Sequence, residues 1–305
     1  MPEIRMGRHT IETSNTDKIM FPDEGITKGD LIDYYKKIAG TMMKYLEGRP
    51  VSMHRFPDGI TGEDFYQKEV PDYFPDWIHT VSVKVKEGGK QDQVTIENAA
   101  TLIYLANQAC ITPHVWLSKS DHLDRPDRMI FDLDPPDDDF DAVRHGARAF
   151  RDLLDELGLQ SFVMTTGSRG LHVLVPLDGK QDFDTVREFA SDAARLLADR
   201  NPKRFTTESR KNKRRGRLFL DYLRNSYAQT AVPPYAARAR GGAPVAAPLD
   251  WDEVGSANLS PRKYTIKNIF RRLSRKEDPW SGMMRHASSL KEPRKRLDNL
   301  VSGED

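Results

Sequence analysis

Cysteine is almost absent from this 305-residue chain: Cys110 is the only one. That excludes an internal disulfide framework and Cys-rich zinc sites, and it suits a reducing compartment. Long apolar runs are also missing. No stretch approaches the roughly 18–20 residues needed to cross a bilayer. The N-terminal MPEIRMGRHT has no apolar signal core. With 30% charged residues and a mean hydropathy of -0.66, the chain is expected to be soluble and cytoplasmic, with no membrane partner. It lacks an excess of either charge sign: 47 Lys and Arg stand against 46 Asp and Glu. It has no internal repeat and no G-K-[ST] phosphate loop.

The balanced charge hides a segregated one. DLDPPDDDFD (132–141) holds six aspartates, and RKNKRRGR (210–217) holds six basic residues. Each run alone reads as a solvated loop; the segments beside them carry the argument. MIFDLD (129–134) is apolar and alternating, which predicts a strand. Residues 142–157 put Val143, Ala147, Phe150, Leu154 and Leu157 on one helical face. Asp139 or Asp141 is placed to cap that helix, and Gly158 to end it. SFVMTT (161–166) and LHVLVPL (171–177) predict two strands joined by a GSRG turn. A second amphipathic helix is predicted over 184–199, and a fourth strand over RLFLDYL (217–223). The C-terminal third is the least patterned part, and YAARARGGAPVAAPLDW reads as loop.

The order β-α-β-β-α-β is the split βαβ, ferredoxin-like pattern, an α+β arrangement in which the first strand lies between the third and the fourth. A period of two puts Asp132 and Asp134 on one face of the first strand, His172 on the corresponding face of the third and Asp221 on that of the fourth. Three carboxylates form an all-oxygen site, suited to hard divalent ions such as Mg²⁺ or Mn²⁺. Two such ions about 3.5–4 Å apart support phosphoryl transfer. Without its neighbours the D-x-D pair reads as a polar strand end. TTGSRGLH (165–172) offers glycine-flanked backbone N–H groups and the side chains of Thr166, Ser168 and Arg169 to a phosphate. In isolation Gly167 and Gly170 read as a hairpin turn, and His172 as a satisfied sheet histidine. Phe56, Phe65 and Tyr66 lie near Arg55 and Lys68, a mixture that stacks bases or packs a core.

At this point the chain resembles the polymerase domain of bacterial and archaeal ATP-dependent DNA ligase D, a branch of the archaeo-eukaryotic primase superfamily acting in non-homologous end joining. The resemblance runs through SNTDKIMFPDEGITKGDLIDYY (14–35), RPVSMHRFPDGITGEDFYQKEVPDYFPDW (49–77), ACITPHVWLS (109–118), PDRMIFDLDPP (126–136), TTGSRGLHVLVPL (165–177), GRLFLDYLRN (216–225) and QTAVPPYAARAR (229–240). It implies a single primase-polymerase domain over 1–305, with an N-terminal β-rich lobe near 1–120 that binds DNA ends and template. The split βαβ palm and a C-terminal extension would occupy 121–305, the palm packed on that lobe. It implies that Asp132, Asp134 and Asp221 bind two Mn²⁺ or Mg²⁺ ions. Thr166, Gly167, Ser168, Arg169 and His172 match the loop for the phosphates of an incoming NTP or dNTP, and Arg238 a further phosphate contact. His114, before Trp116, is expected near the sugar. Lys18 and Lys28 match the lysines for a DNA 5′-phosphate, and Phe65 and Tyr66 an aromatic pair that stacks on bases. Departures are Thr166 for serine, Arg169 for lysine, Tyr66 for phenylalanine, and His54 where the family usually has lysine.

The implied activity is templated addition of nucleotides, ribonucleotides preferred, to a primer 3′-end, filling short gaps at broken ends. Implied partners are DNA with breaks, gaps or overhangs and a 5′-phosphate, together with Ku and a separate ligase and nuclease. The implied state is a monomer, with two molecules able to pair across a synapsed break. Two alternatives stand beside this reading. One is a catalytically silent DNA-end-binding module. The other is a phosphatase of the haloacid dehalogenase type, whose D-x-D strand FDLDPP resembles; there Pro136 stands where Thr or Val normally follows, and no Rossmann-like βα repeat ensues.

Overall fold

In the computed structural model, which describes residues 2–85, 88–135 and 137–303, the chain divides into two compact units. The first comprises Met1–Leu123, Thr230–Ala246 and Tyr264–Ser274; the second comprises Asp124–Gln229, Ala247–Lys263 and Arg275–Asp305.

The first unit opens with two hairpins, β1 (Glu3–Met6) with β2 (His9–Glu12) and β3 (Ile19–Phe21) with β4 (Ile26–Thr27). Helix α1 (Lys28–Leu46) starts at a capping box in which Thr27 accepts from the Asp30 amide and Asp30 reaches back to Thr27. Next come β5 (Arg49–Arg55), β6 (Phe65–Gln67), β7 (Thr80–Lys84), β8 (Lys90–Ile96), α2 (Ala99–Asn107) and β9 (Cys110–Trp116). The sheet order is β15-β9-β5-β8-β7, where β15 is Thr230–Ala231, and β6 also pairs with β5. Residues 235–238 are held within this unit by buried hydroxyls. Tyr35 Oη accepts from the Ala237 amide and donates to the Ile111 carbonyl, and Thr112 Oγ1 donates to the Ala237 carbonyl. The short helix α5 (Ile269–Leu273) also belongs here.

The second unit carries the expected split βαβ module. Strand β10 (Arg128–Asp134) leads to α3 (Phe140–Glu156), then β11 (Phe162–Thr165), β12 (Leu171–Pro176), α4 (Phe183–Arg200) and β14 (Leu218–Asp221). The spatial order β14-β10-β12-β11 places the first strand between third and fourth, all antiparallel. β13 (Phe205–Thr206) extends one edge parallel to β14, and β16 (Ala247–Leu249) extends the other beside β11. Val143, Ala147, Phe150 and Leu154 on α3, Leu157 at its C-cap, and Val186, Phe189, Ala190, Ala193 and Leu197 on α4 are buried as their spacing requires, with Phe131 stacked on Phe150. Asp139 caps α3, accepting from the Asp141 and Ala142 amides, and Gly158 ends it at φ 78°. Helix α6 (Lys291–Ser302) completes the unit.

The structure corrects two expectations. The fourth strand stops at Asp221 rather than running to residue 223, because a 3₁₀ turn begins at Leu223 and its amide donates to Asp221 Oδ1 at 2.8 Å. The segment read as C-terminal loop is largely buried and partly paired: Tyr235, Ala236, Ala237, Ala243, Val245 and Ala246 are inside, and Ala247–Leu249 forms β16. Its alanines carry too little hydrophobic amplitude to show a period, yet they fit close-packed backbone. No helix among the described residues is long and apolar enough to cross a membrane.

Candidate active site

Cross-strand register brings the acidic cluster of the second unit together. Asp132 stands opposite His172 on β12 and opposite Asp221 on β14, while Asp134 pairs with Phe219. Asp132 is buried. Its Oδ1 lies 3.3 Å from His172 Nε2, and its Oδ2 accepts from Arg224 Nε at 3.3 Å. Burial opposes ionisation of Asp132, but His172 and then Arg224 outweigh it and hold the carboxyl below the usual range. Asp134 and Asp221 behave in the opposite way: burial first, and the charge of Asp132 second, raise both.

Such a donor set is short of positive charge. Among the described residues no three His, Cys, Asp or Glu side chains are already gathered closely enough to hold an ion. The chemistry of the set nevertheless fits a hard divalent cation, since it is all oxygen and two of its three carboxyls resist ionisation without a counter-charge. Asp137, Asp138 and Asp139 are exposed, and Asp139 is spent on capping α3. Pro136, on which the phosphatase alternative turned, lies outside the described residues. The antiparallel order of the four core strands is not the parallel repeat that alternative requires.

The loop joining β11 and β12 is tied by Thr166. Its Oγ1 accepts from the Ser168 and Gly170 amides at 3.3 and 3.2 Å and lies 3.2 Å from the Gly170 carbonyl. Gly167 sits at φ 67°. Thr166 therefore shapes the loop, and Ser168 and Arg169 are its half-buried side chains. The Arg169 charge acts on Asp134. Gly170 has no room for a side chain: a Cβ there would lie 2.0 Å from the Leu133 carbonyl oxygen and 2.8 Å from Asp134 Oδ1. His172 is buried, and its Nδ1 has no hydrogen-bond partner among the described residues. A buried ring nitrogen in that state has hydrogen-bonding capacity to offer.

Three residues here escaped the sequence reading. Arg224 supplies a cation to Asp132. Asn225, fully buried, accepts from the Ile130 amide at 2.8 Å and donates to the carbonyls of Ile130 and Tyr222 at 2.7 and 2.9 Å. It pins the turn carrying Arg224 to the strand carrying Asp132. Arg262 Nε donates to the Ser168 carbonyl at 2.9 Å and braces the loop. The signal available for the first two was YLRN directly after Asp221; for Arg262 there was none. The basic run is partly folded back, with Arg214 4.2 Å over the Phe219 ring and bonded to the Glu208 and Ser209 carbonyls.

The remaining predicted residues belong to the first unit. His114 and Arg238 are half-buried. Phe65 and Tyr66 are exposed, while Phe56 is core. Lys18 bonds Asp58 Oδ1 at 2.9 Å and the Pro57 carbonyl at 2.8 Å. Lys28 is buried, its ammonium 3.1 Å from the Asn107 carbonyl, and burial together with the charge of Lys18 lowers its pKa.

Comparison with known proteins decides the lineage. Residues 27–280 match the family model described as LigD, primase-polymerase domain. The chain belongs to the LigD primase-polymerase family. It is 32% identical over 283 residues to the multifunctional non-homologous end joining protein LigD of Pseudomonas aeruginosa, covering 89% of this chain and 32% of that protein. It is 31% identical over 278 residues to the bifunctional non-homologous end joining protein LigD of Bacillus subtilis, covering 90% and 44%. The chain thus spans less than half the length of these curated LigD relatives. Among solved structures, the polymerase domain from Mycobacterium tuberculosis ligase D in complex with DNA matches with a TM-score of 0.84 and 30% identity, over 91% of this chain and 99% of that one.

Proposed function

We propose that the chain is a template-dependent nucleotidyltransferase that extends a primer 3′-end in short gaps during non-homologous end joining. The observation that carries this is the alignment of Asp132 and Asp221 across neighbouring strands, with Asp134 on β10 and the Gly170 loop against that same strand. Membership in the LigD primase-polymerase family supports it, as does the DNA held by the matched polymerase domain.

Asp132, Asp134 and Asp221 would hold two divalent ions, Mn²⁺ or Mg²⁺, whose chemistry is activation of the 3′-hydroxyl and neutralisation of the leaving pyrophosphate. His172 orients Asp132 through Nε2 and leaves Nδ1 for a phosphate oxygen. Ser168, Arg169 and the loop amides receive the other phosphate oxygens of an NTP or dNTP, ribonucleotides preferred, and stabilise charge as it develops. In the first unit, His114 and Arg238 serve the nucleotide, Phe65 and Tyr66 stack on bases, and Lys18 with Lys28 receives a 5′-phosphate. Ku, a ligase and a nuclease are the proposed partners.

The test is extension of a gapped duplex with a recessed 5′-phosphate, in Mn²⁺ with NTPs or dNTPs. Templated addition by the wild type that disappears in Asp132→Ala and Asp221→Ala is the expected result. Tight end binding without any addition would replace this reading with the silent binding module.

A further inference from the structure

We infer that His54, fixed by Asp64, is a positioning residue for Tyr66 and makes the His54–Tyr66 pair a preformed platform for the nucleobase of the incoming nucleotide. This rests on the polymerase reading above and adds to it a residue whose identity departs from the family's usual lysine.

The geometry lies within one hairpin. Strand β6 pairs with β5 so that Tyr66 stands directly opposite His54, and Phe65 opposite Arg55. Neighbouring residues of a strand point to opposite faces. The two exposed aromatics therefore serve different faces, each with its own cross-strand support. Arg55 lies 5.5 Å from the Phe65 ring centroid and donates to Gln67 and Tyr73. His54 supports Tyr66 in another way: the rings are stacked with centroids 4.0 Å apart and planes within 12°. His54 Nε2 lies 2.5 Å from Asp64 Oδ2, and the Phe56 ring lies 4.4 Å from the imidazole. The imidazole is thus held on three sides: by Asp64 at its edge, by the core residue Phe56, and by Tyr66 on its face. His114 opposes Ser52 on the next strand and shares this face, its ring 5.4 Å from that of Tyr66.

The supporting ring is sheltered and the supported ring is not. The His54 side chain is 17% exposed, whereas Tyr66 is 55% exposed. An exposed tyrosine on a three-residue strand would ordinarily sample several rotamers and lose that freedom when a base stacks on it. A flat, fixed imidazole beneath it removes part of that loss beforehand. A flexible cation in the same place would contact a phosphate but could not set a ring plane. The electrostatics agree: burial, with Arg238 and Arg240 adding to it, disfavours the imidazolium and outweighs the help of Asp64. His54 acts by shape.

The experiment separates shape from charge. His54→Ala, His54→Phe and His54→Lys are compared with wild type, after circular dichroism and thermal melting confirm that each folds. Two readouts are taken. One is quenching of 2-aminopurine ribonucleoside triphosphate bound with a gapped duplex whose primer ends in a dideoxynucleotide. The other is KM and kcat for extension of the normal primer. His54→Ala should raise both Kd and KM roughly two- to tenfold, the cost of ordering one side chain, with kcat little changed. His54→Phe should recover most of the loss, and His54→Lys should not. Recovery by lysine but not phenylalanine would overturn the inference in favour of a charge contact. Wild-type values in all three variants would overturn it as well. A wild-type protein that neither binds nor extends would instead overturn the polymerase reading on which the inference stands.

Discussion

Replacing Asn225 by alanine tests whether the acidic cluster is held by backbone pinning rather than by its own charges. Asn225 is fully buried and makes three hydrogen bonds, two of them to the amide and carbonyl of Ile130. Each such bond contributes about 0.5–1.5 kcal/mol net, and each Ile130 group left without a partner costs about 1–3 kcal/mol. These terms overlap, so the expected loss is about 3–5 kcal/mol. For a protein of this size that lowers Tm by roughly 6–20 °C, at about 2–4 °C per kcal/mol. The chemical consequence is separate. Once the 222–225 turn is released, Arg224 loses its fixed approach to Asp132, so templated extension measured well below the new Tm should also fall. Denaturant melts followed by circular dichroism give the first number, and primer extension gives the second. A stability change below about 1 kcal/mol would show that water or a shifted turn satisfies Ile130, and would refute the pinning argument.

Other outcomes follow from single contacts. Gly170→Ala forces a methyl group to within 2.0 Å of the Leu133 carbonyl oxygen. It should cost at least about 1–3 kcal/mol and reduce extension further than its Tm alone explains; a melting curve and extension rate like wild type would contradict this. Burial pushes the Cys110 thiol up to about 12, so it remains a thiol across the physiological range and stays protected. Because this folded pKa lies above the unfolded one, the group favours the folded state below the unfolded thiol range and loses that contribution as pH climbs towards 12. A disulfide reagent at pH 8 should label Cys110 only on unfolding, and rapid labelling of native protein would contradict its burial. Lys18→Ala should erase any preference for 5′-phosphorylated gaps with Tm nearly unchanged, since its ion pair with Asp58 is exposed. Lys28→Ala should lose the same preference and also lower Tm, because it leaves the buried Asn107 carbonyl without this donor. Equal melting of the two variants would show that the difference in burial does not matter.

The palm was legible because its code is redundant. Four short apolar strands, the first of them alternating, and two amphipathic helices pointed to a split βαβ order, and the period of two then placed Asp132, His172 and Asp221 on one face. The register confirms that alignment residue by residue. What stayed hidden depends on contacts without period. Asn225 replaces ladder hydrogen bonds with a side chain; YLRN after Asp221 marks the place but not the strand it pins. The short edge strands β13 and β16 have two or three residues, too few to alternate visibly. Much of Tyr235 to Ala246 is buried although it is built mainly from Ala, Pro and Gly, and hydroxyls on α1 and β9 hold its backbone there. The Thr166 hydroxyl also bonds the Gly170 amide and carbonyl, a loop-shaping contact that its place in TTGSRG does not reveal.

The missing side chain at Gly170 has a consequence for altering substrate choice. Because the loop backbone rests on the Leu133 carbonyl and beside Asp134, loop and acidic strand behave as one mechanical part. On the proposed reading, a substitution that widens the loop for a bulkier phosphate analogue would drag the carboxylates with it. Selectivity engineering, on the same reading, would start instead from the β5–β6 hairpin, where the stacked His54–Tyr66 pair can be exchanged.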